Sequence, residues 1–100
     1  MEYEIAKKGD SLIARLTGSL TFKNTKEFGV VIEEFNAQNA KALELDFAEL
    51  TFIDSTGLGA LVRAFDATQV AKGDFIIHNA SGSVLQALER SKFGKIAKLI

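Results

Sequence analysis

From Asp54 to Gly59 the chain reads Asp-Ser-Thr-Gly-Leu-Gly, setting one carboxylate, two hydroxyls and two glycines side by side. Several chemistries use residues of these types. A hydroxyl of Ser55 or Thr56 can cap a following helix, a contribution of about 1 kcal/mol. Capping alone leaves the second hydroxyl, Asp54 and the glycines unexplained. Nucleophilic attack by Ser55 needs a base in reach and a group to orient it. The single imidazole is His78, at the end of the next strand, and few loops are long enough to wall off a pocket. The Asp-Ser/Thr-Gly triplet of a paired-carboxylate protease is interrupted by Thr56. A dinucleotide fingerprint lacks its third glycine, because Val62 stands there, and no Gly-Lys-Ser/Thr loop occurs. A switch is the remaining use: a hydroxyl at the amino end of a helix can carry a phosphate where negative charge is best tolerated.

The elements that must position this set are legible as alternation and periodicity. Tyr3 and Ile5 alternate with Glu2 and Glu4, and residues 11–17 form the second strand of a hairpin across the turn Lys7-Lys8-Gly9-Asp10. Asn24 with Glu27 three residues on has capping-box spacing. Phe28, Val31, Ile32 and Phe35 then give an amphipathic helix that ends at residues 36–39. Leu43, Leu45 and Phe47 alternate in a third strand ahead of the motif. Leu58, Leu61, Val62 and Phe65 predict a second helix running to about Ala71, stopped by Lys72-Gly73-Asp74. Residues 75–78 read as a short interior strand. Ser83 and Gln86 sit at capping-box spacing, with Val84, Leu85 and Leu88 inward on a third helix. Phe93-Gly94-Lys95 reads as a turn, and residues 96–100 as an edge strand. The prediction is one α/β domain over residues 1–100, a mixed sheet with helices on at least one face.

Composition narrows the function. Hydrophobic residues make up 47% and charged residues 25%, the balance of a globular domain. A net charge of −1 gives no global field toward nucleic acid or an anionic membrane. The absence of cysteine excludes disulfides and thiol catalysis. No apolar run reaches the roughly 20 residues of a membrane span, and the acidic start lacks the pattern of a secretory signal. The expectation is a cytoplasmic domain that neither inserts into a membrane nor binds nucleic acid.

The run Phe52-Ile53-Asp54-Ser55-Thr56-Gly57-Leu58-Gly59 resembles the central motif of the STAS domains of bacterial anti-sigma factor antagonists. Gly18-Ser19-Leu20 after the hairpin, Lys72-Gly73-Asp74 and the close at Phe93-Gly94-Lys95-Ile96 extend the resemblance over essentially the whole chain. It implies a mixed sheet of four to five strands with three to four helices mainly on one face. It also implies a serine, here Ser55 with Thr56 the lesser candidate, that a partner kinase phosphorylates. In the family the unphosphorylated form sequesters an anti-sigma factor, often itself a kinase of the GHKL type, and a metal-dependent phosphatase of the PP2C kind restores it. No cofactor and no catalysis by the chain itself are implied. Other members are constitutive docking subunits of larger assemblies, including lipid-transport complexes. Thr21 stands where relatives often carry an aspartate that helps engage the kinase.

The expected mechanism places Ser55 exposed at the start of the second helix, with its phosphate met by the backbone N–H groups of residues 56–58. A partner packed on Gly57, Leu58 and Gly59 would then meet a desolvated charge. Asp54 is either a solvated carboxylate or helix cap, or a docking element. Thr21, Phe22 and Asn24 are expected to flank the same surface, because the hairpin exit and the motif lie at one end of the sheet.

Overall fold

In a computed structural model of the chain, which describes residues 1–91 and 93–100, two strands precede every helix: β1 (Glu2–Lys8) and β2 (Ser11–Leu20). Then follow α1 (Thr25–Ala37), β3 (Ala42–Ile53), α2 (Ser55–Val70), β4 (Asp74–His78), α3 (Gly82–Arg90), a single turn α4 (Phe93–Ile96) and β5 (Lys98–Leu99). The strands form one five-stranded sheet in the order β1-β2-β3-β4-β5. The β1–β2 hairpin is antiparallel, and β2, β3, β4 and β5 run parallel.

Alternation decides which face the helices cover. Leu12, Ala14 and Leu16 of β2 pair beside Leu43, Leu45 and Phe47 of β3, and Phe75 and Ile77 of β4 continue the layer. Phe28, Val31 and Phe35 of α1, Leu61 and Ala64 of α2, and Val84 and Leu88 of α3 close over it as one buried cluster. Thr68, buried in α2, satisfies its hydroxyl by donating to the Phe65 carbonyl at 2.7 Å. The other sheet face carries Ile13, Arg15, Glu44, Asp46, Ile76 and His78, half-buried or exposed.

Strand β3 is longer than its alternating core. Its register against β2 slips twice, between the Arg15 and Thr17 pairs and between the Gly18 and Ser19 pairs, so β3 accommodates two extra residues. Its buried positions therefore run 43, 45, 47, 50, 53. The bulges bring Leu50 and Ile53 back to the helical side and carry the strand six residues past Phe47, to the edge where the motif begins.

Several local expectations are corrected. Asn24 is the residue before α1 but makes no capping bond, because its Oδ1 accepts from the Thr21 N–H at 3.2 Å and the Thr21 hydroxyl at 3.0 Å. Ser83 is not a cap: α3 begins at Gly82 after Ser81, and the Ser83 hydroxyl donates to the Thr51 carbonyl at 3.2 Å. Residues 93–95, expected as a turn, belong to α4, and the edge strand covers Lys98–Leu99 alone. Leu85 is half-buried rather than in the core.

Candidate functional site: the head of helix α2

Helix α2 begins at Ser55, three residues before the first position of its apolar periodicity, and its cap is Asp54. Asp54 has extended backbone, with φ −105° and ψ −178°, and its Oδ1 accepts from the Gly57 N–H at 2.7 Å. The Leu58 N–H donates to the Asp54 carbonyl at 2.9 Å. A carboxylate suits this position because the first-turn N–H groups are unpaired and the helix dipole is positive there. The second oxygen, Oδ2, accepts from the Phe22 N–H at 3.1 Å, tying the β2–α1 turn to the helix. Neither Ser55 nor Thr56 caps the helix, so both hydroxyls, on exposed residues, are free of that duty.

This arrangement corrects the expected phosphate cradle. The N–H groups of Gly57 and Leu58 are already bonded to Asp54. Those of Ser55 and Thr56 are the ones left open in the first turn.

The two glycines differ. A Cβ on Gly57 would lie 2.2 Å from the Leu20 carbonyl oxygen and 2.8 Å from Ile53 Cγ1, so only glycine lets α2 sit this close to the ends of β2 and β3. Gly57 is buried and offers a partner no surface; Gly59 is exposed, with no atom within 4 Å of a Cβ built on it. Leu58 is half-buried and packs against the core.

Thr21, Phe22 and Asn24 do flank the motif. With Asp54 they line an open depression of about 610 Å³ that also includes Met1, Gly18 and Phe52. Phe22 is 66% exposed and Phe52 50%, with the Lys23 ammonium 5.9 Å from the Phe22 ring centroid. Two aromatics standing in solvent beside the motif are suited to anchoring a protein partner. Sequence reading missed Phe52 as a surface residue. It pairs with Ser19 after the second bulge and lies in the outward phase that alternation from Phe47 gives, a signal that was available in the sequence.

His78 lies elsewhere. It pairs with Asp46, seven residues before the end of β3, which at about 3.3 Å per residue is roughly 23 Å along the strand. Its Nε2 is 2.7 Å from Glu44 Oε1 on the open sheet face, and it is no base for Ser55. The hydrogen bond from His78 holds the Glu44 carboxyl below its ordinary value, against an opposing push from burial. Burial also pushes Asp46 upward, but the Ala48 N–H, the Asn79 amide and Arg15 together hold it below the usual value.

The fold is that of a single mixed sheet with helices over one face, and its β3–α2 junction carries the hydroxyls at one end. The chain belongs to the STAS domain family, which matches residues 2–100. Among solved structures it resembles an anti-sigma factor antagonist from Mycobacterium paratuberculosis, at 15% identity over 98% of this chain and 83% of that one, with a TM-score of 0.85. It also resembles the anti-sigma factor antagonist SpoIIAA in its unphosphorylated form, at 17% identity over 99% and 87% of the two chains, TM-score 0.77. The phosphorylated form of that Bacillus protein matches with the same TM-score, at 19% identity over 99% and 91%. A sulfate transporter family protein from Wolinella succinogenes matches at 19% identity over 88% and 71%, TM-score 0.74. No described helix is long and apolar enough to cross a membrane.

Proposed function

We propose that this chain is a protein-binding regulator switched by phosphorylation of Ser55. In its unphosphorylated form it docks on an anti-sigma factor that is itself a serine kinase, in the cytoplasm, and a metal-dependent phosphatase reverses the modification. The chain is then a substrate and a ligand, not an enzyme, and needs no cofactor. The observation that carries this reading is an exposed Ser55 hydroxyl at the first residue of α2, left unused because Asp54 does the capping.

A phosphate there adds about −1.5 to −2 charges. The open N–H groups of Ser55 and Thr56 can receive it without unfolding the helix. What changes is the surface: a partner seated over the helix head and the Phe22 side would bury an unpaired charge next to Asp54. Burying such a charge costs several kcal/mol, so affinity should fall by about a hundredfold or more. That SpoIIAA in both forms matches this chain equally well supports a switch read from surface charge rather than from refolding.

The test mixes the purified chain with candidate anti-sigma kinases of its own genome and ATP. Mass spectrometry should find phosphate on Ser55, Ser55→Ala should bind the kinase constitutively, and Ser55→Asp should bind about a hundredfold more weakly. Phosphate elsewhere with Ser55 untouched overturns the proposal. The match to a sulfate transporter family protein, together with Thr21 in the place of the usual aspartate, favours a second reading as a constitutive docking subunit. Equal affinities of Ser55→Ala and Ser55→Asp for a transport assembly would select it.

A further inference from the structure

The outward face of α2 continues well beyond Ser55. Ser55, Gly59, Val62 and Asp66 follow at helical spacing, so they form one stripe about 16 Å long at 1.5 Å per residue, and all four are exposed. Beside the stripe an open groove of about 380 Å³ runs between α2 and α4, with Leu58, Phe65 and Phe93 along its base and Val62 and Ile96 at its lips. Val62 is 44% exposed and Ile96 39%. Asp66 is the one charged side chain among the described residues that line the groove.

Gly59 has no internal explanation. Glycine weakens a helix interior relative to alanine, and the fold does not demand it at a position where a Cβ would meet nothing within 4 Å. The missing side chain leaves a notch on the outside of α2, at the mouth of the groove. Close approach of another backbone is the use of such a notch.

We propose that notch and groove receive an amphipathic helix of the partner, crossing α2 at Gly59, with apolar side chains in the groove and a lysine or arginine meeting Asp66. This rests on the switched docking described above and adds the chemistry of what docks. A helix fits because the receiving surface is itself a helical ridge and groove. An added strand does not fit, since α2 presents no free backbone edge. Ser55 stands at the head of the same stripe, so its phosphate blocks one end of the docked helix while the groove is unchanged.

Gly59→Leu fills the notch from outside, and Gly59→Ala fills it minimally. Both should keep or raise Tm by helix propensity. Binding is measured by calorimetry without ATP, against the purified anti-sigma kinases of the same genome. Gly59→Leu should lose at least tenfold in affinity, Asp66→Lys about threefold to tenfold, and hydrogen exchange should slow over residues 58–66 and 93–96 in the complex. Unchanged affinity of Gly59→Leu, with Ser55→Asp impaired, overturns the groove and leaves the switch standing. Equal binding by wild type, Ser55→Asp and Gly59→Leu, or no binding by any kinase, overturns both. Protection of the same segments in a dimer of the chain alone assigns the groove to a second copy and overturns the partner helix.

Discussion

The inner and outer sides of the first turns of α2 contain the same residue type for opposite reasons. On the inner side Gly57 is pressed against the Leu20 carbonyl, and the fold has no room for anything larger. On the outer side Gly59 faces open space, and the fold has no use for its smallness. Ahead of both glycines, Ser55 and Thr56 are exposed to solvent while Asp54 does the structural work, holding Gly57 on one hand and the Phe22 backbone on the other. The inner side therefore answers to stability, and the outer side is left free for the docking proposed above, although Gly57 and Gly59 are only two residues apart.

Mutations can break that division. The largest effect belongs to Gly57→Ala: a Cβ at 2.2 Å from a backbone oxygen forces α2 off the sheet, and urea denaturation should show a loss of about 3 kcal/mol despite alanine's better helix propensity. A loss under about 0.5 kcal/mol would mean the helix head is free to shift, and the division would fail. Asp54→Ala comes next, with a loss of about 1–2 kcal/mol by thermal unfolding, since the cap and the Phe22 N–H lose their acceptor together. Asp54→Asn should recover most of it.

The open sheet face supplies a control, because Glu44 is held by the His78 side chain rather than by a helix start. Glu44 is held below its ordinary value of 4.5, so its ionised form is favoured by folding. That stabilisation is complete above the unfolded value and is lost as pH falls through the lowered folded value. Urea midpoints of the wild type should therefore drop more steeply below about pH 4.5 than those of Glu44→Gln. Parallel curves would show that the His78 contact contributes nothing. The smallest effect is expected for Ser55→Ala, whose stability should stay within about 0.5 kcal/mol of wild type while its binding ceases to respond to kinase and ATP.

The comparison also explains what could be read from the chain alone. Alternation in Leu43, Leu45 and Phe47 located the sheet core, and the stripe Phe28, Val31, Ile32, Phe35 located a helix, because both periods are set by burial on one side. The second half of β3 escaped that reading because two bulges turn a period of two into steps of three, which imitate a helix. The placement of Thr21, Phe22 and Asn24 beside the motif followed from topology and holds in the structure. The cap did not follow. Asp54, Ser55 and Thr56 all have cap chemistry, and the choice depends on whether the helix starts at residue 55 or later, which periodicity from Leu58 does not report. Asn24 and Ser83 show the same gap: short polar side chains near a helix start take whichever partner tertiary contacts supply. The groove beside α2 was invisible because α4 is a single turn, too short to show a period.

The carboxylate of Asp54 joins backbone segments 32 residues apart in the chain. One oxygen holds the helix and the other holds the turn that displays Phe22, so separating the two costs a hydrogen bond, about 1 kcal/mol. The residue that starts α2 thus also fixes where the backbone beneath an exposed aromatic ring lies, so the helix head and the Phe22 turn share one anchor.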